Sequence, residues 1–75
     1  LPDNPIVMFR KGWLLYRVER WQDSIDTLQA IIDKFGSEPG EQFQDIVRRS
    51  HFIMSTVYVH KGDLRKGEEI LEKIY

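Results

Sequence analysis

The sequence predicts an all-α fold of four helices that pack as two antiparallel pairs. Three observations predict it. Apolar residues recur at helical spacing, glycine and proline divide the chain into segments of helical length, and the order of segments repeats once. The stretch from Met54 to Val59 is rich in β-branched residues, but no break precedes it, so we expect it to be helical as well.

The first helix has a clear start. The Asn4 side chain can accept hydrogen bonds from the open backbone donors, and Pro5 suits the first helical position because its φ is fixed and it lacks an N–H. We expect the helix to run to Val18, where the polar residues Glu19 and Arg20 end it. Its apolar residues at helical spacing are Ile6, Phe9, Trp13, Leu14, Tyr16 and Val18.

A second helix with a single apolar stripe follows from Trp21. The apolar residues after Trp21 come in steps of four, three, four and three, at Ile25, Leu28, Ile32 and Phe35. Such spacing is typical of an amphipathic helix that buries one face. We expect Gly36 to end this helix as a left-handed C-cap.

The third helix is the longest. After the connector 37–40 it is expected from Glu41 to Lys61, about 30 Å, whereas the first helix spans about 20 Å. Its first turns should therefore overhang the first helix. Phe43, Ile46 and Val47 would then either cover the connector and the end of the second helix or form a shelf for a partner.

A fourth helix closes the chain. Gly62 supplies a turn and Asp63 a cap for it. Its predicted inner face consists of Leu64, Gly67, Leu71 and Ile74.

The two halves of the chain share one pattern at a spacing of 43 positions. Small residues recur in both helices of each half, where they would let antiparallel helices approach closely. The matching pairs are Gly12 and Ser55, Leu15 and Tyr58, Trp21 and Leu64, Ser24 and Gly67, Leu28 and Leu71, and Ile31 and Ile74.

This pattern resembles the tetratricopeptide repeat family, in which a small residue, an aromatic three positions later, a turn, an aromatic and a second small residue follow one another. The resemblance covers nearly the whole chain, with one unit at 1–36 and a second at 37–75. The chain departs from the family in three ways. Leu15 replaces the usual aromatic, Glu19 and Arg20 replace a glycine-containing turn, and the period exceeds the standard of about 34, as in extended family members.

The resemblance implies a right-handed superhelical array of helix pairs and a non-catalytic role in protein–protein interaction, as a scaffold or adaptor. In the family, the first helices of successive units line a concave groove that holds a peptide or helix of a partner. The matching groove positions are Phe9, Trp13, Tyr16, Arg17, Phe52, Thr56, Val59 and His60. Family members that clamp a chaperone's C-terminal carboxylate use lysine and asparagine where this chain has Phe9 and Trp13, so we do not expect that ligand.

Alternatives stay open at this point. Phe9 and Trp13 could be core residues rather than contacts for a partner, since an aromatic stripe at helical spacing is common in cores. Such arrays usually need three or more units, so we expect neighbouring repeats. Otherwise the chain associates with itself through Leu71, Ile74 and Tyr75, or serves as the docking region of a larger enzyme.

Composition narrows the functional classes. The net charge of −1 and scattered basic residues argue against nucleic acid as a partner, and the 75 residues contain no cysteine and no apolar run long enough for membrane insertion. We therefore expect a soluble, cytoplasmic protein. His51 and His60 lie on opposite sides of one helix and cannot share a metal, and no phosphate-binding loop or activated nucleophile is present, so no catalytic site, metal or cofactor is predicted.

Overall fold

The computed structural model describes residues 4–74 and confirms the predicted all-α fold. Within that range the chain forms four helices and no strand. Helix α1 spans Pro5–Arg17, α2 spans Trp21–Phe35, α3 spans Glu41–Lys61 and α4 spans Leu64–Ile74. The predicted bounds are therefore right to within one residue at each end that the sequence specified.

Two of the three predicted caps form. The Asn4 carboxamide oxygen accepts hydrogen bonds from the backbone N–H groups of Ile6 at 2.9 Å and Val7 at 3.3 Å. Before α4, the Asp63 carboxylate accepts a hydrogen bond from the N–H of Lys66 at 3.1 Å. Both side chains satisfy donors that a helix start leaves open, which explains why these helices begin where they do.

The prediction of a left-handed cap at Gly36 is wrong. Gly36 has φ −61° and ψ −28°, a right-handed conformation, and its N–H still bonds to the carbonyl of Ile32 at 2.9 Å. The positive φ falls at Gly40 instead, with φ 117°, directly before α3. Because Pro39 rather than Gly36 prevents helix continuation, the chain completes another turn before it reverses.

The helices pack mainly on their neighbours in the chain. Tyr16 near the end of α1 contacts Trp21 at the start of α2, whereas Gly12, one turn earlier, lies against Ser24 and Leu28, so the two helices are antiparallel. Contacts also join α2 to α3, α3 to α4, and α1 to α3. The Cα trace measures 33 × 27 × 14 Å, so the chain forms a slab about two helices thick.

Small residues bring the two helices of each pair together, as predicted. A Cβ on Gly12 would lie 2.8 Å from Leu28 Cδ2, and the Ser24 hydroxyl donates a 2.7 Å hydrogen bond to the Gly12 carbonyl. In the second pair, a Cβ on Gly67 would lie 3.0 Å from the Ser55 carbonyl oxygen. Any larger side chain at either glycine would push the helices apart.

The core lies between the helices and draws residues from α2, α3 and α4. Leu64 does not belong to it, contrary to the prediction, because 62% of that residue is exposed. It starts α4 on a side that no described helix covers. Ile70, absent from the predicted inner face, is buried instead. The buried apolar cluster consists of Ile25, Leu28, Ile31, Met54, Val57 and Ile70.

The overhanging start of α3 covers the connector region, which is the simpler of the two predicted outcomes. Phe43 stacks on Phe35 at the end of α2, with ring centroids 5.7 Å apart and nearly parallel planes. Val47 is buried, and Ile46 packs against the core. The first two turns of α3 thus close the far end of α2, while Phe43 and Ile46 keep an edge toward α1.

Candidate protein-binding cleft

An apolar cleft opens where the first turns of α1 and α3 lie side by side. Tyr16 near the end of α1 contacts His60 near the end of α3, and the starts of the two helices share the cleft, so α1 and α3 run parallel. The cleft has a volume of about 460 Å³, within the range of ligand sites. Its lining residues are Pro5, Ile6, Phe9, Arg10, Gln42, Phe43, Asp45, Ile46 and Arg49.

The floor of the cleft is apolar and its rim is charged. Phe9, Phe43 and Ile46 pack partly against the core, whereas Ile6 is mostly exposed. On the rim, Arg49 Nε lies 3.1 Å from Asp45 Oδ2 in an exposed ion pair. Arg10 forms no ion pair within residues 4–74, so the rim has one uncompensated positive charge.

Phe9 is the one predicted groove residue that lines this cleft. It is half-buried and packs against the core, so its ring serves both as core and as cleft floor. Trp13, one turn later, is 38% exposed, and the Arg17 guanidinium carbon lies 4.8 Å from the centroid of its ring. This cation–π contact holds Trp13 and Arg17 together on the surface of α1, beyond the cleft.

Tyr16 and His60 meet at the opposite end of the α1–α3 contact. The Tyr16 hydroxyl lies 3.3 Å from His60 Nε2, and the His60 ring stacks on Trp21 with centroids 5.7 Å apart and planes inclined by 15°. Beside them, Lys61 Nζ donates a 2.9 Å hydrogen bond to the Gln22 side chain. The two predicted groove residues thus tie the end of α3 to the α1–α2 turn.

The remaining predicted groove residues lie on α3, away from the cleft. Val59 lies beside Gly67 of α4, where a glycine Cβ would be 2.9 Å from Val59 Cγ2. Phe52 is on the same face two turns earlier and is 51% exposed. The Thr56 hydroxyl donates to the Phe52 carbonyl at 3.2 Å within the helix. Phe52 and Val59 therefore form a separate apolar surface at the α3–α4 end of the molecule.

His51 lies in a shallow depression between α3 and the end of α4, together with the cationic side chains of Arg48 and Lys73. Partial burial, and secondarily the positive charge of Lys73, lower the pKa of His51 below its ordinary value. Leu71 and Ile74, predicted as part of an open end, are half-buried on α4. Tyr75, the third residue of that prediction, lies outside the described residues.

Sequence reasoning missed most of the cleft. From the sequence, Ile6 is expected only on the apolar side of α1, and Phe43 and Ile46 are expected either to cover the connector and the end of the second helix or to form a shelf, not to share a site with Phe9. The overhang of α3 was the available indication, since a longer helix beside a shorter one must expose or cover its extra turns. Helical periodicity alone does not show which side of α3 faces α1.

Residues 4–74, which the structure describes, contain neither a cluster of potential metal ligands nor a helix suited to cross a membrane. No group of three or more histidine or acidic side chains there could hold a metal ion. No helix within residues 4–74 is both long and apolar enough to cross a membrane.

The chain matches no protein-family model, no curated protein sequence and no solved structure.

Proposed function

We propose that this chain is a non-catalytic protein-binding module built of two tetratricopeptide-like helix pairs, and that it holds a segment of another protein in the cleft between α1 and α3. The observation that carries the proposal is the cleft itself. It combines a volume of about 460 Å³ with an apolar floor and a charged rim. Apolar grooves with polar rims recognise helices and peptides through apolar anchor side chains.

The backbone of the two turns supports the repeat assignment. Glu19 and Gly62, 43 positions apart, both adopt positive φ, 64° and 103°. Glutamate enters this region at a cost that glycine avoids, so its presence at the equivalent position indicates that the turn geometry is required. Together with the parallel α1 and α3, this supports a superhelical array in which first helices stand side by side.

Charge on the rim suggests the chemistry of the partner. Asp45 and Arg49 neutralise each other, which leaves the Arg10 guanidinium as the free charge beside the apolar floor. A partner segment with an apolar side chain over Ile6 and Phe9 and an aspartate or glutamate near Arg10 fits this arrangement. The partner we propose is therefore an apolar peptide or helix with an acidic flank.

Selection from a random peptide library displayed on phage tests the proposal. Peptides that bind the chain should share an apolar anchor next to acidic residues, and synthetic versions can be measured by fluorescence anisotropy. Ile6→Ser should weaken their binding by about tenfold or more, because it removes apolar surface from an edge of the cleft. Arg10→Glu should discriminate against the acidic flank.

Leu14→Ser is the matched control. Leu14 and Ile6 are both 57% exposed and both lie in α1, so the two substitutions should affect folding equally, yet Leu14 lies outside the cleft. Thermal melts of both variants check that their stabilities agree. The cleft is the wrong site if selected peptides bind the Ile6→Ser and Leu14→Ser variants equally well.

A further inference from the structure

An exposed apolar stripe runs along α1 beside the cleft, and Arg10 lies between the two. We call this stripe, made of Val7, Lys11, Leu14 and Val18, the upstream face. Its three apolar residues are more than half exposed, and Arg10, Leu15 and Arg20 border a shallow depression along it. Exposed apolar residues at one helical spacing indicate a surface that another helix can cover.

The equivalent stripe on α3 is buried. Residues 43 positions after the upstream face are Ser50, Met54, Val57 and Lys61, of which the first three are buried. Val57 is 0% exposed, whereas its equivalent Leu14 is 57% exposed. The same helix position is therefore covered in the second pair and open in the first.

Helix α2 is what covers the stripe on α3. Phe43, which continues the stripe toward the start of α3, stacks on Phe35 of α2. Lys61, at the other end of the stripe, donates a hydrogen bond to Gln22 of α2. Because both ends of the stripe contact one antiparallel helix, the upstream face of α1 is shaped to receive a helix like α2.

The chain presents such a helix at its other end. Residues of α4 that lie 43 positions after Trp21, Ile25 and Leu28 are Leu64, Glu68 and Leu71, which we call the downstream face. Leu64 and Glu68 are exposed and Leu71 is half-buried. No described helix covers Leu64 or Glu68, whereas Leu71 is partly covered by α3, the one described helix that α4 contacts.

Charge distinguishes the two open faces from the internal contact. Ile25 of α2 and Met54 of α3 belong to one buried apolar cluster. Their equivalents on the open faces are Glu68 and Lys11, and neither forms an ion pair within residues 4–74. Two members of an apolar cluster inside the molecule thus correspond to an acidic side chain on the downstream face and a basic one on the upstream face. Arg10 and Arg20 add positive charge along the upstream face, so the two faces are electrostatically complementary.

We propose that copies of this chain associate head to tail, with the downstream face of one copy on the upstream face of the next, in the register of the internal α2–α3 contact. Leu64 and Leu71 of one copy then cover Leu14 and its apolar neighbours in the next, and Glu68 lies within about one helical turn of Lys11. Because the two faces differ, the contact is heterologous and one copy leaves a free face at each end. The occupant of the upstream face is a second copy of this chain.

Sedimentation velocity on the chain and two charge variants tests this arrangement. The weight-average mass of the chain should rise with concentration toward the millimolar range. Lys11→Glu and Glu68→Lys should each weaken association by about tenfold or more, since each places like charges across the contact. An equimolar mixture of the two variants should regain the association of the unmodified chain, because every contact between unlike copies again joins a lysine and a glutamate.

Arg17→Glu serves as the control. It makes the same charge change on an exposed residue of α1, but on the side of Trp13 rather than on the upstream face. Its association should match that of the unmodified chain. A chain that stays monomeric at millimolar concentration overturns the proposal, as does a mixture of Lys11→Glu and Glu68→Lys that associates no better than either variant alone.

Discussion

The two helix pairs reach the same close approach by exchanging their small residues. In the first pair the glycine lies on the first helix and Ser24 on the second, and the Ser24 hydroxyl bonds across to the Gly12 carbonyl. In the second pair the order is reversed, and the Ser55 hydroxyl donates to the Phe52 carbonyl of its own helix at 2.7 Å. Both pairs have small side chains where their helices meet, but only the first pair has a hydrogen bond across that contact. Close approach of the backbones is therefore the feature common to both pairs.

Equivalent residues of α2 and α4 differ more in burial than in residue type. Leu28 and Ile31 of α2 are fully buried, whereas Leu71 and Ile74 of α4, at equivalent positions, are only half-buried. Helix α2 has α1 on one side and α3 on the other, while α4 contacts α3 alone among the described helices. The number of neighbouring helices, not residue type, decides how much a given apolar side chain stabilises the fold.

Leucine truncation tests that difference and should give the largest effect. Leu28→Ala should lower the free energy of unfolding by about 2 to 5 kcal/mol, because the cavity it leaves lies in the closed core. Leu71→Ala should cost less than half as much, since solvent already reaches the site. Urea denaturation of both variants measures the two losses, and equal losses would mean that α4 is as enclosed as α2.

The turns between paired helices offer a second comparison of intermediate size. Gly62→Ala should lower the free energy of unfolding by about 1 kcal/mol through its positive φ alone, because no other group lies within 4 Å of the new methyl. Glu19→Gly should raise it by a similar amount or less, since glycine relieves the same conformation at the equivalent position.

Thermal melts of these two turn variants measure both changes. Opposite signs are expected, and a stabilising Gly62→Ala would contradict the inference that the two turns share one geometry. Arg20→Ala is a suitable control for the first turn, because Arg20 precedes α2 without capping it through its side chain, and its ion pair with Asp23 is exposed.

The smallest expected effect is a pH dependence of the free energy of unfolding that arises from the second helix pair alone. His51 is equivalent to Met8, so only the second pair has an ionisable group there. Burial and Lys73 lower the pKa of His51 in the folded chain. Below the ordinary pKa of about 6.5 the unfolded chain therefore takes up the proton more readily, and stability is lost as the pH falls through that value toward the folded pKa. Above it, His51 is neutral in both states and the contribution is retained in full.

His51→Met introduces the residue of the first pair and removes this dependence. Urea midpoints at pH 7.5 and 5.5 should fall further for the unmodified chain than for the variant. The difference will be modest because His51 is only partly buried and solvent screens Lys73. Equal decreases of the urea midpoint in the two proteins would show that folding does not lower the pKa of His51.

Features that depend on a few neighbouring residues could be predicted from sequence. The Asn4 and Asp63 caps, the bounds of the helices and the 43-residue equivalence all follow from local chemistry or spacing. The prediction for Gly36 is wrong because a glycine after an apolar stripe usually adopts the left-handed conformation that ends a helix. Here the chain reverses later, around Pro39 and Gly40. The cleft could be predicted only through Phe9, since its other apolar residues depend on how α3 is turned toward α1.

The sequence by itself therefore determined the all-α class, the four helices and their bounds, because capping and periodicity act within one or two helical turns. Tertiary structure alone decided which equivalent residues are covered. Leu14 and Val57 occupy the same position of the pattern, and one is exposed while the other is buried, because burial depends on whether a neighbouring helix is there to exclude water.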